Sequence, residues 1–182
     1  VEEEMRTLSG YKFDECNDNG NTPWYSTEAY SPNRSLQEKM NVISNAYSEL
    51  SKSRLDYVVF YMNNHKQIPT WIMFSTFIDI LKCSRTDVTH SLCNLYGLYD
   101  ERELPNVKLL IGSLHWMRKV RNSCAHNERV YCLTRKSDRR SSSGRIIERY
   151  LRMLNPGYIR DREQKLFDLF VYFKYYLPIS YI

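Results

Sequence analysis

The sequence predicts an all-α protein built as a helical bundle. Glycine and proline are scarce, with six of each among 182 residues, and this composition favours helices over a fold rich in turns. Apolar residues recur at i, i+3 and i+4 spacing in several segments, whereas VYCLT, residues 130–134, is the only run typical of a β-strand. The length fits a single domain.

We expect an irregular segment over residues 1–35, followed by a helical domain over residues 36–182. The first segment contains NDNGNTP and SPNRS, which are typical of loops. A helical pattern then covers residues 36–64, with a break near residues 51–53. The pattern of its first part rests on Leu36, Met40, Ile43, Tyr47 and Leu50.

The next two helices are predicted from an apolar face and from capping residues. Pro69 suits a first helical turn, and it precedes a wide apolar face formed by Trp71, Ile72, Phe74, Phe77, Ile78 and Leu81. A shorter helix follows, with Ser84 or Thr86 as its N-cap and Gly97 just beyond its end.

A long helix is predicted from near Pro105. One side of it is apolar, through Leu109, Leu110, Ile111, Leu114, Met117 and Val120. Residues 134–144, TRKSDRRSSSG, read as a basic loop, and helices are predicted over about 145–154 and 159–176. The aromatic residues of the last helix favour a core or interface role over base stacking.

The charge is distributed unevenly along the chain. The net charge is +5, but residues 118–165 contain fourteen basic and five acidic side chains, a net charge of +9. A basic region of this kind is typical of proteins with a polyanionic partner, although ordinary surface charge is an equal alternative.

We expect a cytoplasmic protein with no membrane partner. The opening VEEEM is acidic where a secretion signal is basic, and the most apolar stretches are too short or contain charged residues. The five cysteines form no C-x-x-C pair, which is typical of free thiols in a reducing compartment.

The most informative stretch is RKVRNSCAHNERVY, residues 118–131. At 100° per residue, Arg118, Asn122 and His126 lie on one polar stripe of a helix, with Arg121 beside it. Arginine binds phosphate through two hydrogen bonds. Histidine titrates near neutral pH and can exchange a proton with a ribose hydroxyl or a leaving oxygen. These residue types would allow RNA cleavage without a metal or cofactor, but an ordinary helix end also attracts cations.

Two cysteines flank the histidine and offer weaker alternatives. Cys124 is predicted on the buried side of the helix together with Val120, which argues against Cys124 as a nucleophile. A metal site with Cys132 would match no standard zinc spacing. We therefore expect no metal at this position.

The string RNSCAH, residues 121–126, has the form R-x4-H and resembles the signature of the HEPN superfamily of helical RNA-cleaving domains. The longer string RNSCAHNERVY is more narrowly similar to abortive-infection (Abi) proteins of the AbiD/AbiF type, with Val130 where leucine is usual. A second block, SKSRLDYVVFYMNNHKQIPTWIMFSTF, resembles a looser family segment, with Phe74 and Ser75 near the position of a frequent glutamate. The resemblance covers roughly residues 24–135.

The resemblance implies a HEPN-like helical bundle that dimerises to form a composite active site. Such domains cleave single-stranded RNA without a metal, and the Abi type implies a toxin that acts during phage infection. His126 would be the acid–base group, Arg121 would stabilise the transition state and Asn122 would position one of them. Supporting or RNA-binding roles would fall to Arg118, Lys119, Glu128 and Arg129.

Two further readings follow from the same resemblance. The chain would be a non-catalytic HEPN module that binds RNA or a protein. Alternatively, an antitoxin protein or a guard RNA would keep the toxin silent.

Overall fold

The all-α prediction is confirmed by a computed structural model, which describes residues 1–69, 71–100, 102–133, 135–136, 163–164 and 166–177. These residues form seven α-helices: α1 (Glu2–Cys16), α2 (Leu36–Ser51), α3 (Asp56–Asn64), α4 (Phe74–Cys83), α5 (Thr86–Leu95), α6 (Val107–Ala125) and α7 (Leu166–Tyr176). The predicted break near residues 51–53 is confirmed as the boundary between α2 and α3.

One short antiparallel pair interrupts the helical pattern of the described residues. Strand β1 (Arg135–Lys136) pairs with β2 (Glu163–Gln164). The predicted β-like run instead begins with a 3-10 turn, Val130–Cys132. The rest of the basic loop 134–144 and the helix predicted over 145–154 lie outside the described residues.

The chain divides into two compact units, Glu2–Leu92 and Cys93–Ile182, and Val1 groups with the second. The boundary lies within α5, and it does not follow the division at residue 36 expected from the loop-like composition of the first 35 residues.

The first 35 residues are not irregular throughout, because α1 covers Glu2–Cys16. Its buried residues are Met5, Ser9, Gly10 and Phe13, which share one face at helical spacing. The Phe13 ring meets the buried Tyr30 ring edge-on, with 5.8 Å between centroids. Three acidic residues in the first turn suit the positive end of the helix dipole.

Helix α2 begins with a capping box. The Ser35 hydroxyl accepts a hydrogen bond from the Glu38 N–H at 3.2 Å, and the Glu38 carboxylate accepts one from the Ser35 N–H at 3.0 Å. The helix buries Ile43, Ala46 and Leu50. Leu36 and Met40, which helical spacing placed on the same face, are exposed in its first two turns.

The described residues between α3 and α4, 65–69 and 71–73, are non-helical, and this corrects the predicted helix start at Pro69. The Ile68 N–H donates to the Asp14 carboxylate at 3.2 Å, and the Ile72 carbonyl accepts from the Arg6 guanidinium. These backbone groups are therefore satisfied by side chains of α1 and not by a helix. Helix α4 begins only at Phe74, and Trp71 is exposed outside it.

Asp14 makes the stability of this unit depend on pH. Burial raises the pKa of its carboxyl from 3.8 to about 6, although the hydrogen bond from Ile68 opposes the rise. The folded protein therefore holds a proton that the unfolded chain has lost, and the unfolding free energy falls as the pH rises from about 4 to about 6.

We expect Asp14→Asn to remove this dependence, because the amide keeps an oxygen for the Ile68 N–H and carries no charge. The unfolding free energy of the variant, relative to that of the parent, should increase between pH 4 and pH 7. Urea unfolding at both pH values measures the difference. A difference that does not change with pH would contradict the prediction.

In the second unit, α6 packs on α7. The Asn106 side chain caps α6 by accepting from the Leu109 N–H at 3.0 Å. Ser113 and Tyr176 share a buried hydrogen bond of 2.6 Å between their hydroxyls. Leu169, Tyr172 and Tyr176 of α7 are buried, which confirms a core role for this part of the predicted aromatic helix. The buried contact between the two helices holds α6 against α7, and it therefore fixes the direction of the polar face of α6.

Candidate functional site

The polar face at the end of α6 borders an open cavity of about 550 Å³. A volume of this size is typical of small-molecule and cofactor pockets. The side chains around the cavity are polar or charged, and most come from about three successive turns at the end of α6. They are His115, Arg118, Lys119, Asn122, Ser123, His126 and Glu128.

Five of the predicted site residues line this cavity together. Arg118, Asn122 and His126 are spaced by four residues, so successive side chains fall on the same side of α6. Lys119 and Glu128 also line it. Two permanently cationic side chains and one carboxylate give the lining an excess of positive charge, which suits an anion.

His126 lies where α6 ends. The His126 N–H still donates to the Asn122 carbonyl, at 3.0 Å. The next residue, Asn127, has a positive φ of 53°. The Asn127 N–H donates to Cys124 O at 3.2 Å, and the Glu128 N–H donates to Ser123 O at 2.9 Å. This pattern is a Schellman motif, which reverses the chain and brings Glu128 back to the cavity.

Asn127 therefore has a structural role within the motif. Asparagine tolerates the left-handed conformation better than other residues with a Cβ, and β-branched residues tolerate it poorly. We expect Asn127→Val to lower the unfolding free energy by about 1–2 kcal/mol, and Asn127→Gly to leave it nearly unchanged. Urea unfolding followed by circular dichroism measures both. Equal stability of the valine variant would show that the helix end does not depend on this residue.

Two predicted site residues do not line the cavity of a single chain. Arg121 is exposed beside it, and its Nη1 donates to the Asn122 Oδ1 at 3.1 Å. Arg129 is exposed and follows the chain reversal. Arg121 thus reaches the cavity face through Asn122, which itself lines the cavity.

The prediction for Cys124 was wrong, because its side chain is exposed. Helical periodicity gives the direction of a side chain but not the neighbours that cover it, and Cys124 lies in the last turn before α6 ends at Ala125. Ser123 and Val120 are buried there instead. Sequence reasoning also missed His115, whose spacing of seven residues from Asn122 places it on the same stripe.

The described residues contain neither a candidate membrane span nor a candidate metal cluster. None of the helices in this part of the chain is long and apolar enough to cross a membrane. The same residues contain no group of three or more histidine, cysteine, aspartate or glutamate side chains placed to hold a metal ion.

The fold and the cavity define a helical protein with a cationic, histidine-containing site at a helix end. The chain belongs to the family of Abi-like proteins, whose model matches residues 1–132. The match includes the whole stretch 118–131 and begins before residue 24, where the sequence resemblance began. No curated protein and no solved structure matches the chain.

Proposed function

We propose that this protein is a metal-independent endoribonuclease of HEPN type, which cleaves single-stranded RNA and acts as a toxin in abortive infection. The observation that carries the proposal is the grouping of Arg118, Asn122 and His126 around one cationic cavity. Membership of the Abi-like family supports the role in anti-phage defence.

In the proposed reaction, the 2′-hydroxyl of a ribose attacks the adjacent phosphorus. The bond from phosphorus to the 5′-oxygen breaks, and the products are a 2′,3′-cyclic phosphate and a 5′-hydroxyl. One proton leaves the attacking hydroxyl and one reaches the leaving oxygen, and side chains can carry out both transfers. His126 exchanges one of these protons, since its exposed imidazole is at the cavity wall.

The cationic residues would act on the phosphate. Arg118 and Lys119 attract the RNA backbone to the cavity. Arg121 stabilises the charge that develops on the phosphorane, and Asn122 holds Arg121 through their 3.1 Å hydrogen bond. Glu128 and Arg129 support the site.

The proposal includes a homodimer with a composite site. General acid–base catalysis needs one group to accept a proton and another to donate one. A second copy of the chain would supply a second His126 and a second Arg121. An antitoxin protein or guard RNA would hold this cleft closed.

A second candidate function is a non-catalytic HEPN module that binds RNA or a partner protein. The observation that favours it is the position of Arg121, which does not line the cavity of a single chain. A purely binding module needs positive charge at the cavity but does not need the arginine and the histidine to act on one phosphate.

The test is incubation of the purified protein with end-labelled single-stranded RNA in EDTA. We expect cleavage to continue, with new 3′ ends that resist phosphatase until acid opens the cyclic phosphate. Binding without cleavage would favour the second candidate. Cleavage that stops in EDTA would contradict the metal-independent mechanism.

A further inference from the structure

A row of aromatic rings lies at the surface of the unit Glu2–Leu92, at α3 and the segment that follows it. Tyr61 in this row is half-buried, and its hydroxyl donates to the Gln67 carbonyl. The Trp71 ring meets Tyr57 and Tyr61 edge-on, at centroid distances of 5.8 and 4.5 Å. His65 stacks on Tyr61 at 4.8 Å and meets Phe60 at 5.8 Å. The rings form one continuous group, yet Tyr57, Phe60 and Trp71 are 56%, 61% and 41% exposed.

This exposure is not what a folding role would produce. Helix α3 buries Val58, while the apolar residues around it, Leu55 and Val59, are exposed together with the rings. Single exposed apolar residues are ordinary, but a contiguous exposed group is typical of an interaction surface.

The position of Trp71 is fixed by its neighbours. Ile68 and Ile72 on either side of it are buried, and their backbone groups bond to Asp14 and Arg6 of α1. The indole is therefore held outward by an anchored segment. A surface that is already ordered loses little conformational freedom when it binds a partner.

The exposed charges of residues 52–66, which carry four of the five rings, are mainly positive. They are Lys52, Arg54 and Lys66 against one acidic residue, Asp56. Two further carboxylates, of Asp14 and Glu49, accept hydrogen bonds from the backbone N–H groups of Ile68 and Met73. Exposed rings among cations suit a single-stranded nucleic acid, because every base stacks on an aromatic face and every phosphate is attracted by a cation. A partner protein with a neutral surface would contact the rings but would not require the cations.

We propose that the ring surface, formed by Tyr57, Phe60, Tyr61, His65 and Trp71, binds single-stranded nucleic acid by base stacking. The neighbouring cations contact the backbone. This surface lies in the unit Glu2–Leu92, whereas the cavity at the end of α6 belongs to the other unit. The proposal therefore does not depend on cleavage.

Tryptophan fluorescence provides a local signal for the test. Trp24 and Trp116 are 3% and 0% exposed, so Trp71 is the tryptophan that a base can stack on. The full chain carrying His126→Ala is titrated with unstructured 12-nucleotide RNA and DNA, so that cleavage does not disturb the signal. We expect saturable quenching with both, because stacking does not read the sugar.

Two variants distinguish the fluorescence signal of Trp71 from the binding of the oligonucleotide. Trp71→Phe should lose the quenching but keep the affinity, measured by anisotropy of a labelled oligonucleotide. Trp71→Leu should weaken the affinity about tenfold, the loss expected when one stacked base is removed. The matched control is Tyr11→Leu, which removes an exposed ring of α1 and should leave the affinity unchanged.

A charge variant tests the proposed contact between the neighbouring cations and the nucleic-acid backbone. Replacement of Lys52, Arg54 and Lys66 by serine should lower the affinity and reduce its dependence on salt. Tyr57→Ser replaces Trp71→Leu if the latter does not fold, as judged by circular dichroism. The proposal is overturned if no quenching occurs, or if Trp71→Leu, or Tyr57→Ser in its place, binds as tightly as the parent. It is also overturned if the ring surface mediates only self-association, seen as a change in sedimentation without any change in oligonucleotide binding.

Discussion

His126→Ala should lower the rate of RNA cleavage by about 10²–10⁴-fold, the usual contribution of a positioned acid–base group. Histidine 126 is exposed at the end of α6, and its backbone N–H, not its ring, bonds to the Asn122 carbonyl. The substitution should therefore leave the helix end intact. Cleavage kinetics and thermal unfolding of the same preparation measure both effects.

Two controls separate catalysis from structure. His90→Ala changes a histidine of the other unit and should leave cleavage unchanged. Free imidazole should restore part of the activity of His126→Ala, since the cavity is open to solvent. Full activity of the alanine variant would remove His126 from the mechanism, and lost activity together with a lower unfolding temperature would assign it a structural role.

The part of the site that follows helical geometry was predictable from the sequence. The spacing of Arg118, Asn122 and His126 fixed a shared stripe, and all three line the cavity. The helix end was harder to predict, because it depends on backbone bonds around Asn127. Asparagine at a helix end is a weaker signal than glycine, so the chain reversal that returns Glu128 to the cavity was missed.

Long-range hydrogen bonds explain the largest error in the predicted fold. The segment before α4 has a helical pattern of apolar residues, and Pro69 suits a helix start. Asp14 and Arg6, more than fifty positions earlier in the sequence, bind backbone groups of this segment, and its described residues do not join the helix. A local sequence pattern does not reveal such distant partners. For this reason Trp71 was placed on the apolar face of a helix, although it is exposed and lies outside α4.

Helix α1 was missed because its apolar positions are few and separated by polar ones. The stripe through Met5, Ser9 and Phe13 includes a serine and lies beside Gly10. Burial against the rest of its unit stabilises such a helix more than intrinsic propensity does. The loop-like stretches that follow, from residue 17 onwards, dominated the prediction for residues 1–35.

Arg121→Lys should lower the rate of cleavage by about 10²–10³-fold, the loss typical of one donor to a developing oxyanion. Lysine keeps the positive charge but not the planar pair of donors that matches a phosphate. It also replaces the guanidinium whose Nη1 bonds to Asn122. RNA affinity should change little, because the charge is kept. Arg102→Lys, at another exposed arginine of the same unit, is the matched control and should cleave like the parent.

Mixing the two inactive variants tests where Arg121 acts. The guanidinium does not line the cavity of its own chain, so in a composite site it would act on a phosphate held beside the second copy's His126. A mixture of Arg121→Lys and His126→Ala chains would then form hybrid dimers that contain one intact arginine opposite one intact histidine. We expect such mixtures to regain cleavage that neither variant shows alone. Without that recovery, Arg121 and His126 must act within one chain, and Asn122 would have to turn the guanidinium towards the cavity.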